Sequence, residues 1–193
     1  RLHLPHRALL ALRELLPGPL VTAIEGTAAA PETLRQIAVL DHRGRTRARI
    51  RLPAEHRLLI GRRPLRELLA RGLGDAVRWR TRAVSVREKA ASVVVGIEGG
   101  PDVEVDVLVG ADGIRSRVTR HVTGRPAARP SGIVAIGGTA TGPVRRPADL
   151  RRGIALAAGP RGTGVFLAAH EPRGGVPAPG AIVEEPYVVW TVA

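Results

Sequence analysis

Asp112 lies in a glycine-bounded turn, Gly110-Ala111-Asp112-Gly113, between the apolar run Val107-Leu108-Val109 and the stretch Ile114-Arg115-Ser116-Arg117-Val118. Glycine has no Cβ, so the backbone can bend sharply here and a ligand can come close. A helix starting directly after such a bend offers free N–H groups and the positive end of its dipole, which suits a phosphate. A carboxylate at this point can accept from a ribose hydroxyl or hold a cationic side chain. The same aspartate can serve as a helix N-cap, a role worth about 1 kcal/mol by itself. The residues alone leave both readings open.

A turn of this kind needs a strand to deliver it and a helix to follow it. In open α/β sheets, ligands lie at the carboxyl ends of strands. The alternation of Val103, Val105 and Val107 gives way to an unbroken Val107-Leu108-Val109. A run apolar on both sides marks the interior of a parallel sheet covered by helices. Residues 103–109 are therefore expected to form a strand with residues 107–109 interior, and a helix is expected to begin near Asp112 or Gly113 and run over residues 114–122.

The other elements follow from periodicity and turn residues. Leu9, Leu12 and Leu16 predict a helix over residues 4–16, closed by Pro17-Gly18-Pro19. Residues 37–40 and 45–52 read as a hairpin around Asp41-His42-Arg43-Gly44. Residues 58–60 read as a short buried strand. Pro64 then suits the first helical position, and Leu65, Leu68, Leu69 and Leu73 form one helical face that ends at Gly72 or Gly74. Residues 77–87 and 92–98 predict two further strands before residue 103. Residues 124–131 read as a boundary rich in Pro, Gly and Arg. Strand candidates follow at 133–138, 154–158, 165–169 and 187–192, with a loop over 172–180.

The string over residues 107–118 resembles the second flavin-binding signature, the D-G motif, of the FAD-dependent monooxygenases. That group includes salicylate and para-hydroxybenzoate hydroxylases and the tetracycline-inactivating enzymes. The pattern is an apolar strand followed by G-A-D-G-x-x-S-x-V, and the chain matches every fixed position. Upstream, Arg62-Arg63-Pro64-Leu65 is similar to the R-x-x-L at the start of the helix before the family's meander. The resemblance extends over roughly residues 34–192. It implies that Gly110, Asp112 and Gly113 help hold FAD and that Arg62 contacts the cofactor. It also implies that Ala83, in Thr81-Arg82-Ala83-Val84, meets the adenine through its backbone.

The implied fold is α/β (α+β mixed): a partial Rossmann-like FAD-binding domain with an inserted antiparallel meander, plus part of a substrate-domain β-sheet. Residues 1–56 would supply a helix and hairpin partly in the substrate domain, 57–124 part of the FAD-binding domain, and 125–193 part of the substrate-domain sheet. The family's G-x-G-x-x-G turn and its downstream G-D-A-A-H type segment do not occur in the chain. The chain is accordingly expected to be the middle section of such an enzyme, inactive alone. The implied reaction uses NAD(P)H to reduce FAD, which traps O2 as a hydroperoxide and passes one oxygen atom to an aromatic or polyketide-like small molecule. No catalytic residue is assigned. Phe166, His170, Tyr187 and Trp190 are the polarisable side chains of the later strands and are expected to belong to the core.

Composition narrows the alternatives. The absence of cysteine removes disulfides, thiolate metal sites and cysteine nucleophiles, and the His3/His6 pair has no nearby third ligand. No apolar run approaches the roughly 18–20 residues that span a bilayer, so a cytoplasmic location without membrane partners is expected. The net charge of +13 admits a basic nucleic-acid-binding module. Arginine is spread through almost every segment and aromatics are only 2%, which leaves few stacking platforms and makes nucleic acid an unfavoured partner. Another flavoprotein of the same superfamily, a halogenase or reductase, is the remaining alternative.

Overall fold

Small and β-branched residues in the last third of the chain build four of the six strands of the largest sheet among the described residues. The computed structural model describes residues 2–29, 34–53, 58–142 and 148–193. They divide into two compact units, one of residues 1–72 with 134–193 and the other of residues 73–133.

The first unit holds a six-stranded sheet in the order β3-β2-β9-β10-β11-β8. Its strands are β2 (Gln36–Leu40), β3 (Thr46–Arg51), β8 (Ile136–Thr141), β9 (Gly153–Ala158), β10 (Gly164–His170) and β11 (Tyr187–Val192). Neighbours are antiparallel except β2 and β9, which run parallel with Gln36 opposite Gly153 and Leu40 opposite Ala157. At Gly153 a Cβ would run into the backbone carbonyl of Gln36, so this register requires glycine. Ala38, Leu150, Ala155, Ala169 and Val188 form the buried side of the sheet. Small residues at Ala38, Ala155 and Ala169 let covering elements approach the backbone closely.

The same unit contains a helical layer. Strands β1 (Leu2–Leu4) and β4 (Leu58–Ile60) pair antiparallel beside α1 (His6–Leu15), α2 (Gly18–Thr27) and α3 (Arg62–Leu69). Leu9, Ile24, Leu58, Ile60, Leu65 and Leu68 make its core. Pro17-Gly18-Pro19 does end α1, but it also opens α2, with proline inside the first turn. The first helical turn needs no N–H donor, so the same residues punctuate and nucleate. Pro64 occupies the third position of α3 rather than the first, because the helix begins at Arg62 after the extended residue Gly61. Leu65 and Leu68 are buried as predicted, whereas Leu69 and Leu73 are partly exposed because α3 stops at Leu69.

In the second unit, β5 (Ala83–Glu88), β6 (Val93–Ile97) and β7 (Val103–Val105) form an antiparallel meander. A 3-10 turn, Gly113–Arg115, leads to α4 (Arg117–Thr123), which Gly124 closes in the left-handed conformation. Here one expectation is overturned. β7 ends at Val105, and residues 107–109 are not an interior strand: Val107 is 77% exposed and Val109 80%. A run apolar on both faces is buried only where strands flank it, and no described strand pairs with this one. The α-helix starts later than expected, with Ser116 as its N-cap instead of Asp112. No described helix is long and apolar enough to cross a membrane.

Candidate functional site

The D-G turn is organised around the carboxylate of Asp112. Its Oδ1 accepts from the Ser116 hydroxyl at 2.5 Å and its Oδ2 from the Arg117 amide at 2.7 Å. Ser116 Oγ in turn accepts from the Thr119 amide at 2.9 Å, which caps α4. The Ser116 hydroxyl, followed by the Arg117 amide, holds the Asp112 carboxyl below its ordinary range. The aspartate stays ionised and faces solvent, with the backbone amides of Asp112 and Val118 adding to its hydrogen bonds. It therefore supports the helix start in series with Ser116 instead of capping it alone.

The two glycines act differently. A Cβ at Gly110 would lie 2.7 Å from Val118 Cβ, so only glycine lets the turn pack this closely on α4. Gly113 has φ +80 with no atom within 4 Å of a Cβ position. Its requirement is conformational, and it leaves the backbone at the helix entrance open.

The strand carrying Ala83 belongs to the same unit. Ala83 opens β5 opposite Ile97, and the register shifts between Ala83 and Ser85. Such a bulge leaves a residue out of the ladder. The carbonyl of Val84 is used by Arg117, whose Nη1 donates to it at 3.0 Å and so ties α4 to β5. Between them lies a cleft of about 710 Å³ whose lining includes Arg82, Arg115, Arg117, Arg120 and His121. His121 Nε2 is 3.1 Å from Glu88 Oε1. Four guanidiniums beside an open helix entrance suit the phosphates of an anionic dinucleotide. The donor set therefore fits the phosphates of FAD, although Gly110, Asp112, Gly113 and Ala83 do not themselves line the cleft.

Arg62 belongs to the other unit, as the exposed first residue of α3. Among the described residues no carboxylate pairs with it, whereas its neighbour Arg63 donates to Glu67 at 2.8 Å. Sequence reasoning did not single out Glu184, which lies beside this helix start. Its carboxylate occupies the space a Cβ on Gly61 would take and accepts from the Gly61 amide, while Oε2 is 3.0 Å from His170 Nε2. Burial raises the Glu184 carboxyl above its ordinary range, and the Gly61 amide opposes that shift. His170 is fully buried and stacks on Tyr187, with ring centroids 4.6 Å apart. Glu184 sits in an irregular stretch just before β11, where periodicity carries no signal.

No family model matches the chain. It is 39% identical over 83 residues to the chloroplastic zeaxanthin epoxidase of Arabidopsis thaliana, a match covering 42% of this chain and 12% of that protein. A Photorhabdus luminescens structure assigned as an FAD-containing monooxygenase superposes with TM-score 0.72 at 22% identity, over 99% of this chain and 50% of the other. Klebsiella pneumoniae HpxO, crystallised with FAD and uric acid, gives 0.71 at 20% identity over 98% and 46%. The 2,6-dihydroxypyridine-3-hydroxylase of Arthrobacter nicotinovorans gives 0.61 at 13% identity over 98% and 45%. The chain thus spans about half the length of these structures or less. The resemblance carried by the D-G string and the mixed α/β architecture are borne out together: the chain has the fold of the FAD-containing monooxygenases over almost all of its length.

Proposed function

We propose that this chain is part of an FAD-dependent monooxygenase that takes its electrons from NAD(P)H and oxygenates an aromatic or polyketide-like small molecule. The observation that carries the reading is the turn in which Gly110, Asp112 and Gly113 meet the capped start of α4, within a chain of this fold. FAD, when bound, supplies the redox chemistry: NAD(P)H reduces it, and O2 gives one oxygen atom to the substrate and the other to water.

The chain's own residues bind and position. Asp112, held ionised by Ser116 and Arg117, is an exposed carboxylate that would accept from a ribose hydroxyl by exchanging one of its present donors. Gly113 keeps the backbone open for close approach. The arginines of the β5–α4 cleft neutralise phosphate charge, and the bulged start of β5 leaves Ala83 backbone at hand for a base. Arg62, cationic and without a carboxylate partner among the described residues, supplies a further donor for the cofactor.

The test is a titration of the full-length enzyme that contains this chain, stripped of flavin, with FAD, followed by flavin fluorescence quenching and visible absorbance. Saturable binding is expected, weakened about tenfold by Asp112→Ala, the loss of one charged hydrogen bond. In the full-length enzyme that contains this chain, NADPH or NADH oxidation stimulated by a phenolic substrate should accompany it. A protein that folds cooperatively but leaves flavin fluorescence unchanged would remove the reading.

A further inference from the structure

The first unit carries a second cationic cleft that the flavin reading does not use. β3 is the edge strand of the six-stranded sheet. Alternate residues of a strand share a face, so Arg49 and Arg51 line one side of it, and the register shift at Arg47 brings Thr46 to the same side. Arg47 pairs with Asp41 at 2.8 Å. Arg49 is held by Asp149, with Nε at 2.7 Å and Nη2 at 3.3 Å. Arg51 has no carboxylate partner among the described residues. The 3-10 turn Ala148–Arg151 and the residue after it add Arg151 and Arg152, both exposed and likewise without a carboxylate.

Asp149 is spent on the protein itself. It also accepts from Thr46 Oγ1 at 2.6 Å and Gln36 Nε2 at 3.2 Å, and these bonds with Arg49 hold its carboxyl below the ordinary range. Gln36, Arg49, Arg51, Asp149, Arg151 and Arg152 surround a cleft of about 740 Å³. Four guanidiniums face one carboxylate there, so the cleft carries a surplus of three positive charges. Its size falls within the roughly 300–1,000 Å³ typical of small-ligand sites. Ala148 is the only apolar lining residue among those described, so hydrophobic burial there offers a ligand little. Guanidinium forks match the oxygen pairs of phosphates; Arg49 has committed its Nε/Nη2 fork to Asp149, which leaves those of Arg51, Arg151 and Arg152. Among the described residues no aromatic side chain lines the cleft, which disfavours stacked nucleotide bases and with them a single-stranded nucleic acid.

We propose that this cleft is a binding site for a small anion carrying two or more linked phosphate groups. The proposal is independent of the flavin reading, since none of its residues belongs to the D-G turn or the β5–α4 cleft.

The experiment is calorimetric titration of the protein with inorganic pyrophosphate at fixed ionic strength, with sulfate as comparator. A saturable site that persists with FAD in excess is expected, with sulfate weaker. The double variant Arg51→Gln/Arg152→Gln should weaken it about tenfold or more, from the loss of two charge-assisted contacts. Arg51→Lys/Arg152→Lys, which keeps the charge, should give an intermediate loss. Arg7→Gln/Arg173→Gln, equal in net charge but outside the cleft, should leave affinity within about twofold, as screening of distant exposed charges requires. Equal loss in the two glutamine pairs, or a sulfate affinity matching that of pyrophosphate, would overturn the proposal. So would loss of all pyrophosphate binding once FAD is in excess, which would assign the binding to the cofactor site. An oligonucleotide that binds through Arg51 and Arg152 while pyrophosphate does not would overturn it in favour of nucleic acid.

Discussion

Gly61→Ala should change the sign of its effect on stability according to what stands at residue 184. Gly61 has φ −62 and ψ 143, a conformation open to any residue, so backbone strain is not at issue. The space is: Glu184 Cδ lies 2.7 Å from where a Cβ would be. The methyl group must push the carboxylate off the Gly61 amide, and Glu184, with its side chain 19% exposed, can swing outward. The lost charged hydrogen bond costs about 1.5–3 kcal/mol. Replacing glycine returns about 0.4–1 kcal/mol by restricting the unfolded chain. The net is a destabilisation of roughly 1–2 kcal/mol. With Glu184→Ala already in place the obstruction is gone, and only the gain of about 0.4–1 kcal/mol remains. Urea unfolding of the four proteins in the cycle measures the coupling, about 1.5–3 kcal/mol if the carboxylate is the sole obstruction. An equal cost of Gly61→Ala in both backgrounds would refute the assignment of Glu184 to this helix start.

Ser116→Ala should cost about 1 kcal/mol and reduce hydrogen-exchange protection at the start of α4, since its Oγ is the acceptor for Thr119 N–H. Gly113→Ala should cost about 1–2 kcal/mol through its positive φ alone, with asparagine tolerated better, as denaturant midpoints would reveal. Asp149 has a folded pKa depressed below its ordinary 3.8, chiefly by the hydrogen bond from Arg49. Its contribution to stability is therefore complete above that value and lost as pH falls through the folded one. Asp149→Asn should flatten the acid limb of stability against pH, and a limb as steep as the parent's would contradict the assignment. Gly153→Ala should break the β2–β9 register, seen as exposure of β2 amides to exchange while the β5–β6–β7 meander keeps its protection.

Legibility in the sequence followed how local each signal was. β2, β4, β9, β10 and β11 were readable because their apolar runs are bounded by turn residues, and α1 and α3 because leucines recur at helical spacing. α2 was not: Pro17-Gly18-Pro19 reads as a stop, and nothing in the string says that it also starts a helix. Parallel pairing of β2 with β9 could not be read either, because pattern fixes which face of a strand is buried and not which strand lies beside it. The D-G turn was legible as a motif, yet the strand leading to it was misjudged, since continuous apolarity describes a preference that only neighbours can satisfy. Glu184 acts through a contact with Gly61 far away in the chain, which no window of residues contains.

The parallel pairing at Gly153 also bears on how the chain assembles. Gln36 and Asp149, bonded beside that junction, are 113 residues apart, and the meander between them closes through short local turns. Closing so long a loop is entropically dearer than closing a hairpin. During synthesis β5–β6–β7 can therefore form first, while the β2–β3 hairpin waits with one bare edge for a strand not yet made. An unpaired edge is where chains stick to one another, so the interval before residue 153 emerges is when this protein most needs a chaperone.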